Sequence, residues 1–201
     1  MTPVRVAVLA SGGGTNLQAL LDALNGESVT PLARVMRVVT NRASAGALER
    51  ARKSGVPATV LQNPDDAAEL LAALHAGDGV DLVVLAGYLK LVPPTVVARF
   101  RWRMINIHPA LLPAHGGPGM YGRRVHEAVL ASGAAESGVT VHYVDEQYDR
   151  GPIIAQARVP VRPGDTPETL AARVLETEHQ LLPRVVLELA RRGIPNEPVK
   201  I

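Results

Sequence analysis

The sequence contains no cysteine. Disulfides, thiolate nucleophiles, Cys-ligated metals and iron–sulfur clusters are thereby excluded, and the absence fits a reducing compartment such as the cytoplasm. Aromatic residues make up only 3% of the chain, so a core built from its 47% hydrophobic residues must be aliphatic. The net charge is +2 and no block of five or six like charges occurs, so nothing indicates a nucleic-acid partner. The apolar run Val4–Ala10 is too short to span a membrane and no small-residue cleavage site follows it. Repeats, low-complexity tracts and linkers are also missing. The expectation is a cytoplasmic, membrane-free protein whose 201 residues form one domain.

What is present is a regular alternation of elements. Val4–Ala10 reads as a buried strand and 16–25 as a helix stopped by Gly26. Strands follow at Ala33–Thr40, 59–62, Leu82–Leu85 and 104–107. Helices are expected at 44–54, 65–75 and 93–99. This is βαβαβαβ order, which implies an α/β fold: a mostly parallel, twisted sheet of about seven strands with helices on both faces and a Rossmann-like N-terminal half. The second half changes style. After a helix at 125–132, strands at 139–144 and 153–159 lie close in sequence and predict an antiparallel addition. A long amphipathic helix over Pro167–Arg192 follows, with Pro183 as the point where it could break.

Two polar constellations interrupt this pattern. Ser11-Gly12-Gly13-Gly14-Thr15-Asn16 joins the first strand to the first helix. The backbone N–H groups of such a turn can cradle an anion at the positive end of the helix dipole, with Thr15 and Asn16 as further donors. It is not a Walker loop, because no Gly-Lys-Ser/Thr follows. Nor is it a dinucleotide fingerprint, because Leu17 stands where the third glycine is wanted. A single-phosphate site and a plain tight turn capped by Asn16 both fit.

In the second constellation, Asn106 and His108 stand two apart at the C-terminal end of a strand. They therefore point the same way, into the crevice where open parallel sheets hold ligands. A neutral amide donor and a protonated imidazole could together bind an oxyanion as it forms. A nearby carboxylate would favour the charged imidazole, and Asp149, in the polar loop 145–152, is the candidate. Taken singly, a strand-end histidine is more often structural, and an Asp before Arg-Gly-Pro is most often a turn residue.

The runs Asn106-Ile-His-Pro-Ala-Leu-Leu-Pro113, Gly138-Val-Thr-Val-His142 and Tyr148-Asp-Arg-Gly-Pro-Ile-Ile154 resemble the folate-dependent formyltransferase family. The runs 11–18 and 40–51 (Thr-Asn-Arg-Ala-Ser-Ala-Gly-Ala-Leu-Glu-Arg-Ala) narrow the likeness to its glycinamide-ribonucleotide branch, and the match extends from Val6 to about Leu189. The resemblance implies a single formyltransferase domain, 1–201, with a mononucleotide-binding half, 1–100, and a catalytic and folate-binding half, 101–201. It implies direct formyl transfer from 10-formyltetrahydrofolate to the amine of glycinamide ribonucleotide, a step of de novo purine biosynthesis, without a metal. Asn106 and His108 would polarise the formyl oxygen, and Asp149 would keep the imidazole charged and help relay the amine's proton. Gly13, Gly14, Thr15 and Asn16 would hold the phosphate and Glu178 the ribose. Leu85, Tyr88, Leu89, Lys90, Leu91 and Val92 would line the folate slot, with Gly87 allowing close backbone approach.

The glycine-rich stretch 115–124 is expected as a lid, or else as an ordinary surface loop. His126 aligns with a family histidine near the site, and a capping or structural role fits it equally; His75, His142 and His179 receive no role. Residues 62–68 form a shorter segment than in some relatives and offer no arginine for the folate's glutamyl tail, and Pro118 also departs from the family. A monomer and a homodimer are both compatible.

Three rivals are weighed. A formyltetrahydrofolate deformylase shares the Asn, His and Asp trio, but would carry an extra N-terminal domain where this chain starts a strand at Val4, and hydrolysis would not need the phosphate loop. A methionyl-tRNA formyltransferase would have a C-terminal tRNA-binding domain where only a helix and a tail follow Val159. A non-catalytic mononucleotide-binding module would use the loop alone.

Overall fold

The apolar run at the N-terminus becomes the centre of the sheet. β1 (Val4–Leu9) lies between β2 (Ala33–Thr40) and β4 (Leu82–Leu85), with β3 (Ala58–Val60) at one edge. On the other side β4 is followed by β5 (Met104–His108), β6 (Glu136–Tyr143) and β7 (Ile153–Pro160), giving the order β3-β2-β1-β4-β5-β6-β7. The structure is a computed structural model and describes residues 2–26, 32–77 and 79–201. β1 to β5 pair in parallel, in the spatial order 3-2-1-4-5 of a doubly wound half, while β6 and β7 are antiparallel additions. The expected mostly parallel seven-stranded sheet is thus the observed one.

Alternation along the strands builds a core on both faces. Val6 and Val8 of β1 pack in one cluster with α1 (Thr15–Leu24), α5 (Arg123–Ala131) and α6 (Pro167–Arg192). Ala7 and Leu9 face the other way, into a cluster with α3 (Ala67–His75) and α4 (Pro94–Arg99). α2 (Gly46–Lys53) is short and turns only Ala47 and Ala51 inward. Few aromatics are needed: Phe100 and Tyr143 are the fully buried ones.

Two local expectations are corrected. Pro183 does not break α6, which runs unbroken from Pro167 to Arg192. Leu182, Val185, Val186 and Leu189 are all buried around it, and that packing outweighs one lost backbone hydrogen bond. The cap of α1 is Gly14, in the left-handed conformation at φ 72°, and not Asn16. Asn16 lies inside the first turn, where its side chain is drawn to a partner on α6.

The sheet winds outward in both directions from β1, so the loops after β1 and β4 open at one edge, the usual crevice for a ligand. They are tied together there. The Ser11 amide donates to the Gly87 carbonyl at 3.0 Å, and the Leu89 amide donates to the Ser11 hydroxyl at 2.9 Å. Gly151 lies in the β6–β7 connection against Tyr143, which pairs with Ile105 near the start of β5. Its surroundings leave no space, and a Cβ there would overlap the Tyr143 carbonyl. Gly151→Ala is therefore expected to cost about 3 kcal/mol or more, and to lower the melting temperature by roughly 6–12 °C in a thermal scan.

Candidate active site

β5 delivers the first two polar groups. Ile105 and Ile107 enter the aliphatic core on one face of the sheet, which leaves Asn106 and His108 on the other with Met104. His108 is 3% exposed. Asp149 reaches them from the loop between β6 and β7, in a left-handed conformation (φ 57°) that a non-glycine residue rarely adopts. Its Oδ2 lies 3.6 Å from His108 Nδ1, and its Oδ1 lies 3.4 Å from Asn106 Nδ2. The three residues of the expected trio thus meet, although 43 positions separate Asn106 from Asp149.

A fourth residue belongs to the group, one to which the sequence assigns no role. β6 runs antiparallel to β5, with Asn106 opposite His142 and His108 opposite Thr140. His142 Nδ1 lies 2.7 Å from the Tyr143 carbonyl, which fixes its proton there and leaves Nε2 to accept from Asn106 Nδ2 at 3.0 Å. His142 Nε2 is also 3.5 Å from Asp149 Oδ1. The amide of Asn106 is thereby oriented, with one N–H committed to His142 and the other turned between Asp149 and the cavity.

The 115–124 loop closes the trio from outside. His108 Nε2 donates to the His115 carbonyl at 2.9 Å, and the Gly117 amide donates to Asp149 Oδ2 at 2.9 Å. Behind the trio, Thr140 donates to the Ala110 carbonyl at 2.6 Å and accepts from the Leu112 amide at 3.0 Å. Gln156 donates to the Leu112 carbonyl, which fixes the segment leaving His108.

The electrostatics of the trio modify one expectation. Burial pushes the His108 imidazole below its ordinary value; the Asp149 carboxylate and the His115 carbonyl oppose this without reversing it. Asp149 alone therefore does not keep the empty site's imidazole charged, because removal from water outweighs one carboxylate at 3.6 Å. Burial also pushes the Asp149 carboxyl up, but His108 and the Gly117 amide are among the groups that hold it below the usual carboxylate range. A carboxylate thus faces an imidazole whose charged form burial disfavours.

These groups open on a cavity of about 860 Å³. The six residues expected as a folate wall, Leu85, Tyr88, Leu89, Lys90, Leu91 and Val92, all line it. So do Asn16 and Glu178, from the first turn of α1 and the middle of α6. Asn16 Nδ2 donates to Glu178 Oε2 at 2.9 Å. Thr15 instead lines a neighbouring groove with Arg50 and His179, and Gly13 and Gly14 border neither space. Tyr121, Arg123 and His126 close the far side. His126 is buried, which lowers its pKa together with the nearby His108, and its Nδ1 has no partner among the described residues.

Glu178 is the costly residue of this site. Burial raises its carboxyl to about 7, with the Asn16 amide opposing. Below the unfolded value of 4.5 it is neutral in both states and costs nothing. As pH rises from there, the unfolded chain loses the proton first, and the folded state is penalised by about 3 kcal/mol once pH passes the folded value. Glu178→Gln is expected to raise the melting temperature at pH 8 and to leave it unchanged at pH 4.5. An equal shift at both values would remove burial of charge as the cause.

A family model described as formyl transferase matches residues 4–186. The chain is 48% identical over 189 residues to the phosphoribosylglycinamide formyltransferase, chloroplastic, of Arabidopsis thaliana, covering 90% of this chain and 64% of that protein. It therefore spans slightly less than two thirds of that relative's length. It is 38% identical over 188 residues to the phosphoribosylglycinamide formyltransferase of Escherichia coli, covering 91% of this chain and 85% of the relative. Among solved structures, glycinamide ribonucleotide transformylase 1 from Symbiobacterium toebii superposes with a TM-score of 0.87 at 41% identity, covering 99% of this chain and 94% of that one.

Proposed function

We propose that this chain, which belongs to the formyl transferase family, moves a formyl group from 10-formyltetrahydrofolate to the amine of glycinamide ribonucleotide. The observation that carries the reading is the convergence of Asn106, His108 and Asp149 on a cavity that is also lined by Leu85, residues 87–92 and the Asn16–Glu178 pair. One ligand wall is apolar with backbone polar groups, which suits a flat pterin. The other offers a carboxylate for ribose hydroxyls beside a helix N-terminus for a single phosphate.

In this mechanism the formyl carbon sits between the two walls, and its oxygen accepts from the Asn106 N–H that faces Asp149 at 3.4 Å in the empty site and from His108 Nε2, which exchanges the His115 carbonyl for it. The nucleotide's amine attacks the carbon, a C–N bond forms, and the oxygen becomes an oxyanion. That charge is stabilised most by a protonated imidazole, so the active form is the fraction of the enzyme whose His108 already carries its proton. The amine, positive after attack, gives a proton to Asp149, directly or through water. The oxyanion then collapses to the formamide carbonyl, the bond to the folate nitrogen breaks, and that nitrogen leaves with the proton that Asp149 took from the amine. The rate advantage comes from proximity and from donors fixed in advance.

The same reading makes residues 1–201 one functional unit with cytoplasmic small-molecule chemistry, and makes the 115–124 loop a lid that excludes water through its contacts with His108 and Asp149. No helix among the described residues is long and apolar enough to cross a membrane. The test is consumption of 10-formyltetrahydrofolate by purified protein with and without glycinamide ribonucleotide. Consumption that depends on the nucleotide supports transfer. Equal consumption without it would identify a hydrolase, and none in either case a binding module.

A further inference from the structure

The run Thr40–Ala51 lends no side chain to the large cavity, yet it is built around the glycine loop. Asn41 Oδ1 accepts from the Ser11 hydroxyl at 2.6 Å. The Ala47 amide donates to the Gly12 carbonyl at 3.2 Å, and Arg50 Nε donates to the Gly13 carbonyl at 2.7 Å. Arg50 Nη1 also donates to Gln18 Oε1 at 3.1 Å, which ties α2 to α1. A Cβ on Gly14 would lie 2.9 Å from Ala47 Cα, so the loop and α2 meet at backbone contact.

The consequence follows from the planar trans peptide. A carbonyl and the N–H of the next residue point in opposite directions. With the Gly12 and Gly13 carbonyls held toward α2, the N–H groups of Gly13 and Gly14 face away from it. Thr15 and Asn16 add the unpaired N–H groups of a helix's first turn. A second observation marks a ligand here. Asn16 is only 9% exposed and lines the cavity, and its Oδ1, an acceptor with no partner among the described residues, calls for a donor such as a hydroxyl on a ligand that passes beside the loop. Charge points the same way. Arg50 has no carboxylate within ion-pairing distance among the described residues, whereas the part of α6 that lines the cavity brings Glu168 and Glu178 and no Lys or Arg.

We propose that Arg50 is a positioning residue for the nucleotide's phosphate: it holds the Gly13 carbonyl, turns the loop's amides toward the phosphate, and stands as an unneutralised cation behind them. The proposal rests on the formyl-transfer reading for the identity of the nucleotide. It also accounts for the Thr40–Ala51 run. There α2 shapes the phosphate loop, and Asn41, through Ser11 and the Leu89 amide, joins that loop to the folate wall.

The test compares Arg50→Ala, Arg50→Gln and Arg50→Lys with the unaltered protein. Arg52→Ala is the control, because Arg52 is exposed on α2 and pairs with Glu49. In Arg50→Ala the KM for glycinamide ribonucleotide should rise about tenfold or more, as expected for a lost charge-assisted contact. kcat and the KM for 10-formyltetrahydrofolate should stay within about twofold, and Arg50→Lys should recover part of the loss. An acceptor lacking the phosphate, glycinamide riboside, should be used equally well by variant and parent. A folded Arg50→Ala whose nucleotide KM is within twofold of the parent overturns the proposal. So does an equal loss with the riboside, which would mean general loosening of the loop. If alanine prevents folding, the Gln and Lys variants carry the same comparison. If the unaltered protein transfers no formyl group, the transfer reading fails, and calorimetric titration with ribose 5-phosphate still decides the role of Arg50.

Discussion

His108→Ala is expected to lower turnover by about a thousandfold while leaving the KM for both substrates within a few-fold. The asymmetry follows from where the imidazole acts. In the empty site it donates to the His115 carbonyl, faces Asp149 at 3.6 Å, and has its charge suppressed by burial. A neutral or half-charged donor contributes little to holding a formyl group that is itself uncharged. Its contribution appears when the oxygen turns anionic, and an interaction present only in the transition state changes kcat and not KM. Steady-state kinetics over both substrates checks this, with the melting temperature as a control for folding. A variant that binds poorly and turns over normally at saturation would make His108 a binding residue.

Asp149→Asn is expected to lower turnover by about a hundredfold or more and, in addition, to change the pH profile. The substitution keeps the size of the side chain and an oxygen able to accept from the Gly117 amide. It removes the charge facing His108 and the acceptor for the amine's proton. The direction of the pH effect is fixed by the causes at His108. Burial lowers its proton affinity and Asp149 raises it, so without Asp149 the imidazole loses its proton at lower pH. Activity that requires the charged ring is present below that pH and lost above it. The alkaline limb of kcat must therefore move to lower pH in the variant. A limb that stays in place would dissociate Asp149 from the charge of His108 and leave it only a proton acceptor.

The fold is legible in the sequence because the period of the apolar residues switches plainly between two and 3.6. Leu82–Leu85 is a continuous apolar run and Val4–Leu9 is one apart from Arg5, as strands buried on both faces must be, while Ala33–Thr40 carries Arg34 and Arg37 among its apolar residues. Asn106 and His108 are legible for the same reason: alternation along β5 puts both on the face that Ile105 and Ile107 do not use. His142 is not, because its place depends on the register between β5 and β6. The connection from His108 to Glu136 is long, and no tight turn fixes that register in the sequence. The suppressed charge of His108 is also out of reach, since the strength of desolvation depends on how completely the 115–124 loop covers it. Asn16 reads locally as a cap because its partner, Glu178, is 162 positions away. Pro183 reads locally as a break, while the apolar face of α6 around it decides the outcome.

The most direct measurement is the fate of the formyl carbon. The protein is mixed with 10-formyltetrahydrofolate labelled with carbon-13 at the formyl position and with glycinamide ribonucleotide, and the products are followed by NMR. The account predicts that the label appears as a formamide on the nucleotide, in step with loss of the donor, and that it stays on the donor when the nucleotide is withheld. Label released as free formate at the same rate with or without the nucleotide would contradict it.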